Sequence, residues 1–179
     1  MAFKVGNNVI FDNSAILQST TLDEVPGNII QAKNITTTNR IEGTVGGGSN
    51  PGASDGTSLV AINFTPLRST SSLWLSTSTI SIGEFSNSND VYYAAAYYDS
   101  TRIAISHAPS TFAIWVNNHN AIFVSLNKVF SSWGTSQKTI DLRVGAGNGT
   151  GNDTAVNKDV RYPNISQNSE VAISILEFA

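Results

Sequence analysis

The sequence predicts an all-β protein: an antiparallel β-sandwich or jelly roll preceded by an extended N-terminal segment. Three observations carry the prediction. Charged residues make up only 13% of the chain, about half the share of ~25% usual in a soluble domain, and Ser, Thr, Asn and Gly fill the gap. Those residues suit strands and turns, because Ser, Thr and Asn compete with helical hydrogen bonding and glycine is entropically costly in a helix. Apolar side chains then recur at every second position in run after run, the period of a half-buried strand. Asn, Ser, Pro and Gly bound these runs, which gives about eight short strands joined by turns.

Along the chain, "FKVGNNVIF" places Val5, Val9 and Phe11 in alternation around Gly6-Asn7-Asn8. This is a hairpin signal, since Gly and Asn tolerate positive φ. From there to about Glu42 the apolar residues come only as brief pairs, Ile16-Leu17 and Ile29-Ile30, between polar stretches. Such a segment buries little by itself, so residues 1–42 are expected to gain order against sister copies or another surface. Residues 43–56, "GTVGGGSNPGASDG", read as a glycine-rich linker, with a long surface loop as the alternative.

Residues 57–179 read as the sandwich itself. Val60, Ile62 and Phe64 share one face of "SLVAINF", Leu73 and Leu75 one face of "SLWLSTSTISI", Ile140, Leu142 and Val144 one face of "TIDLRV", and Val171, Ile173 and Ile175 one face of "EVAISIL". "VYYAAAYY", "RIAIS", "TFAIWV" and "NAIFVSLNKVF" are aromatic and β-branched runs between turn residues. For "VYYAAAYY" two turns of helix remain an alternative, because a short apolar run has no decisive period.

Several function classes find no support. The formal net charge is −3 and no run of like charge occurs, so a phosphate backbone would meet no basic face and no nucleic-acid partner is expected. No apolar run approaches the ~18 residues of a membrane span, and the N-terminus lacks the apolar core of a secretion signal, so synthesis in the cytoplasm and no membrane partner are expected. Cysteine is absent, which removes disulfides, zinc thiolates and thiol nucleophiles. Sequons at Asn34, Asn63, Asn148, Asn152 and Asn164 read as coincidence in a chain so rich in these residues.

Catalytic chemistry is sparse as well. The two histidines, His107 in "ISHAPS" and His119 in "NNHNA", lie in turn-like contexts. Ser106 and His107 do not make a nucleophilic pair, because neighbours on a strand point to opposite faces. "GAGNGTGND" from Gly145 to Asp153 lacks the following helix that a phosphate loop needs. It reads as a strand connector, with a weak calcium site at Asp153 as the lesser alternative. Asp90, Asp99, Asp141 and Glu170 are scattered, and nothing marks two of them as the paired acids of a glycosidase. Trp74, Trp115 and Trp133 read mainly as packing residues; Trp133, in "FSSWGTS", is the most loop-like of them. No cofactor and no enzymatic activity are expected.

The opening "MAFKVGNNVIFDNS" resembles the short N-terminal motif of virion appendage proteins of tailed phages, through Gly6, Asn7 and Asp12-Asn13-Ser14. "STSSLWLSTS", "AYYDSTRIA", "KTIDLRVGAG" and "SEVAISILEF" resemble the strand series of the small jelly-roll module on such appendages, which is similar to the trimeric tumour-necrosis-factor-like heads. The resemblance implies a homotrimer on the virion surface, partnered by a major capsid protein or a tail protein. It implies virion-anchoring roles for Phe3, Val5, Val9, Phe11, Ile16 and Leu17. The short N-terminal part, without shaft repeats, favours a capsid decoration (cement) protein over a long fibre. A short tail fibre that recognises a host surface glycan is the alternative, with Trp133 and His119 as its candidate glycan contacts. Glu177, between Leu176 and Phe178 in "ISILEFA", is ordinary there if its face meets solvent.

Overall fold

The computed structural model describes residues 3–5, 8–11, 28–48, 50–84, 91–109, 114–116, 119–147, 151–156 and 170–179. Strands β1 (Phe3–Val5) and β2 (Asn8–Phe11) make a two-stranded antiparallel sheet of their own, with Phe3 opposite Phe11 and Val5 opposite Asn8. Ile16 and Leu17 lie outside the described residues.

The remaining strands form an antiparallel sandwich. One layer runs β5 (Thr57–Phe64), β13 (Lys138–Ala146), β8 (Val91–Tyr98), β9 (Thr101–Pro109). The other is built in two halves. The first half runs β12 (Asn127–Ser131), β6 (Ser72–Thr77), β15 (Val171–Phe178), β3 (Ile29–Thr37). The second runs β10 (Ile114–Val116), β11 (His119–Val124), β7 (Ile80–Glu84), β14 (Gly151–Val156), β4 (Ile41–Val45). The halves follow the same order, since β6 leads into β7, β11 into β12 and β3 into β4, so the two sheets lie end to end in one layer with a bend between them.

Hydroxyl side chains stitch the bend. Thr77 N–H donates to Leu126 O at 2.9 Å, and Thr77 Oγ1 accepts from Leu126 N at 2.9 Å. Ser78 N–H donates to Ala172 O, and Ser78 Oγ accepts from Ala172 N, both at 2.9 Å. Where the ladder breaks, a side-chain oxygen takes the place of a carbonyl for the N–H groups of Leu126 and Ala172. This is a use for the Ser/Thr-rich "STSTIS" that helical competition alone does not suggest.

The core lies between the layers and follows the expected alternation. Ile62, Phe64, Leu73, Leu75, Ile140, Leu142, Val144, Val171, Ile173 and Ile175 are all buried in one cluster. "VYYAAAYY" is a strand rather than a helix, and both its faces are buried: Tyr92, Ala94 and Ala96 face the main core, while Tyr93, Ala95 and Tyr97 form a second cluster with Ala53 and Ile105. That double burial is why the run shows no period-two signature.

The second cluster is roofed by the glycine-rich stretch. Tyr97 Oη donates to Pro51 O at 2.8 Å, and Arg102 Nη1 donates to Asn50 Oδ1 at 2.9 Å and Pro51 O at 3.1 Å. Arg143 donates to the carbonyls of Asp55 and Gly56, each at 2.8 Å, and its Nη1 reaches Asp141 Oδ2 at 2.7 Å. Gly56 is required here on two counts: its φ is +71°, and a Cβ would stand 2.6 Å from Val144 O. Residues 46–48 and 50–56 therefore form a strap packed on β8, and residues 43–45 belong to β4.

Residues 29–45, which the sequence assigns to the N-terminal segment and the start of the linker, pair with β15 and β14 inside the body's sheets. Their order comes from backbone ladders and polar side-chain bonds. Neither leaves an apolar pattern in the sequence.

Candidate functional site

The sandwich has two open sides, where the edge strands of the facing layers meet, and the molecule treats them differently. On one side β3 faces β5. Gln31 Nε2 donates to Thr65 O at 2.8 Å, Lys33 Nζ to Asn63 O at 2.6 Å, and Asn39 Nδ2 to Leu59 O at 3.4 Å. Three side chains thus satisfy carbonyls along the β5 edge, and this side is laced shut.

Glu177 completes the lacing. It is fully buried, in line with Val171, Ile173 and Ile175, which corrects the expectation of a solvent-facing residue. The reason is its set of donors: Leu67 N at 2.9 Å, Arg68 N at 3.0 Å, Ser71 Oγ at 2.6 Å and Gln31 Nε2 at 2.5 Å. Burial pushes the carboxyl up, but the hydrogen bonds from Ser71, Leu67, Gln31 and Arg68 together outweigh it and hold the group below its ordinary value. A glutamate at an inward position of a strict alternation was the signal in the sequence.

On the opposite side β9 faces the turn from β11 to β12, and a cleft of about 470 Å³ opens there. It is lined by residues 102–106 and 125–128. The cause lies in the β9 register: Ala104 pairs with Ala96 and Ser106 with Ala94, so small residues occupy the inward positions and leave space at the rim. Ile103 and Leu126 are the buried residues among the lining, and Lys128 stands exposed at the rim. β9 and β12 are both sheet edges, and among the described residues no strand pairs with their outer sides. Alternate backbone N–H and C=O groups on such an edge are available to an added strand.

A third feature is an apolar band on the outer face of the bent sheet. Val129 pairs with Trp74, Trp74 with Leu176, and Leu176 with Ala32; in the next row Phe178 pairs with Ile29. Val129 is 61% exposed and Ile29 52%, while Trp74, Leu176 and Phe178 are half-buried.

The structure places the other candidate residues as follows. Trp133 packs on Phe64, Tyr98 and Phe130, with ring centroids 6.2, 4.9 and 6.1 Å away, and its indole N–H donates to Ser136 O at 2.9 Å. His119 opens β11, opposite Val116, and its side chain lies outside the described residues, as do those of Phe3, Val5, Val9 and Phe11. His107 and Ser106 pair with Tyr93 and Ala94 respectively and so take opposite faces of β9. Asp99 is ion-paired with Lys138 and Asp141 with Arg143. Among the described residues no three His, Asp or Glu side chains gather in a way that could hold a metal ion, and no helix is long and apolar enough to cross a membrane.

No protein-family model matches the sequence, and no curated protein matches it. Solved structures do. The VP2 subviral particle of infectious bursal disease virus is similar over 83% of this chain and 38% of its own, at 14% identity and a TM-score of 0.40. The T13 particle of the same virus matches over 85% of this chain and 40% of its own, at 15% identity and a TM-score of 0.39. The sugar-binding C-terminal domain of EclA matches over 72% of this chain and 76% of its own, at 14% identity and a TM-score of 0.34. The chain spans about two fifths of the length of the capsid chains it matches. At these identities and scores the likeness carries neither a capsid role nor sugar binding over to this chain.

Proposed function

We propose that this chain is a non-enzymatic structural protein of a tailed-phage virion, a capsid decoration (cement) protein that forms homotrimers on the particle surface. The apolar band Val129, Trp74, Leu176, Phe178 and Ile29 carries the reading. Contiguous exposed apolar side chains on a sheet face mark a surface that is covered in the working molecule, and sister subunits are the cover proposed here. Burial at about 25 cal/mol per Å² of apolar area supplies the association energy. Sparse charge makes that association weakly dependent on salt. The N-terminal segment, with Phe3, Val5, Val9, Phe11, Ile16 and Leu17, joins the copies and fastens them to the major capsid protein, three arms acting together through effective concentration.

Mass photometry of the purified chain tests the reading: a species of three times the chain mass is expected, and a monomer at micromolar concentration would overturn it. Deleting residues 2–17 is expected to abolish incorporation into particles. Imaging of labelled particles separates a capsid position from a tail position.

A further inference from the structure

We infer that the β1–β2 hairpin of one copy pairs along the free β9 edge of a neighbouring copy and covers the cleft there. The inference rests on the oligomerising role proposed for the N-terminal segment and gives it a receptor.

Four observations lead to it. Among the described residues the hairpin pairs only within itself, and an isolated two-stranded hairpin is marginal in water. Its sequence is uncharged apart from Lys4 and rich in Phe, Val and Ile, the composition of a strand that becomes buried on pairing. The body offers a matching vacancy: among the described residues no strand pairs with the outer edge of β9, and beside it Ala104 and Ser106 leave a cleft of about 470 Å³. A strand laid on that edge gains backbone hydrogen bonds from β9 and sends alternate side chains toward the cleft. On the opposite side Gln31, Lys33 and Asn39 already hold the carbonyls of Thr65, Asn63 and Leu59.

The occupant is another copy's hairpin. Sixteen residues, 12–27, separate β2 from Asn28, and a chain of that length spans at most about 55 Å. That is ample to cross to a neighbour. Hairpin-to-edge contact joins two different surfaces, so it is a head-to-tail contact, and three such contacts close into a ring.

Cross-linking tests this on the full chain. Equal amounts of ¹⁵N-labelled and unlabelled protein are mixed, allowed to exchange subunits, and treated with a short amine-reactive reagent. A Lys4–Lys128 link is expected, since Lys128 lines the cleft, with half of the linked peptides carrying one labelled and one unlabelled partner. Links from Lys4 to Lys33, on the laced side, are expected to be at least tenfold rarer. Ala104→Leu, which fills the cleft rather than emptying the core, is expected to lower the Lys4–Lys128 yield about tenfold while the chain stays folded.

A trimer whose Lys4 links only within its own chain, or as often to Lys33, would overturn the inference and leave the trimeric reading standing. A monomer at all concentrations would overturn both.

Discussion

The two open sides of this sandwich solve the same physical problem in opposite ways. Every β-sandwich must dispose of the unpaired backbone at its sheet edges. At the β3/β5 side the chain uses its own side chains: Gln31, Lys33 and Asn39 reach across to carbonyls of β5, and Glu177 gathers four donors beneath them. At the β9/β12 side small residues, Ala104 and Ser106, leave a cleft. The laced side is where stability is invested. The open side is where association is expected.

Mutations can break that contrast, and Glu177 is the place to begin. Replacing it with Leu removes the acceptor for two backbone N–H groups, Ser71 and Gln31. Hydrogen bonds to a charged group contribute about 1.5–3 kcal/mol each, so a loss of about 3 kcal/mol or more is expected in urea denaturation. The same residue sets an acid limit. Its carboxyl is held below the ordinary value of 4.5, so the folded state binds its proton less tightly than the unfolded chain. Its contribution is full above that pH and falls away as pH drops through the lowered value. Acid titration of the unfolding midpoint should show this decline, and Glu177→Gln should flatten it.

A smaller effect is expected from the lacing itself. Gln31→Leu, Lys33→Met and Asn39→Ala are each expected to cost about 1 kcal/mol, read from the same denaturation curves. On the open side Ala104→Leu is expected to change the stability of the single chain by less than about 1 kcal/mol, because the added atoms enter space that is already vacant.

The smallest expected change concerns the strap. Among the described residues Tyr93 Oη is buried without a hydrogen-bond partner, packed against Gly56 and Gly145. Burial, then the proximity of Tyr97 and Asp55, push its pKa from 10.0 up to about 12, with Arg143 pulling the other way. The folded state therefore holds this proton more tightly than the unfolded chain does. Its contribution is full below pH 10 and is lost as pH rises toward about 12. Tyr93→Phe should remove that alkaline slope and leave stability at pH 7 unchanged or slightly higher, by about 0.5 kcal/mol. Thermal unfolding between pH 7 and 12 reads both effects.

What the sequence reveals of this molecule divides along similar lines. The inward faces of β5, β6, β13 and β15 are legible because each is buried on one side only, and half-burial writes itself as alternation. β8 is less legible, since burial of both faces erases the period. β3 carries Lys33 and Asn34 at mid-strand and is held by backbone and polar bonds, so apolar counting passes over it. The strap at 46–56 reads as a linker because glycine suits flexible chain and close packing equally well. Here Gly56 serves close packing. The cleft leaves almost no trace, because Ala104 and Ser106 declare a vacancy only once Ala96 and Ala94 are known to lie beside them. Trp133, the most loop-like tryptophan in the sequence, turns its ring onto Phe64, Tyr98 and Phe130, contacts made across three strands.

Amide hydrogen exchange across a concentration series tests the contrast between the two sides most directly. The account predicts that β9 amides gain protection as the chain associates, while those of β3 and β5 are equally protected at every concentration. Protection of β9 that is already complete in the dilute single chain, or that never changes as it associates, would contradict it.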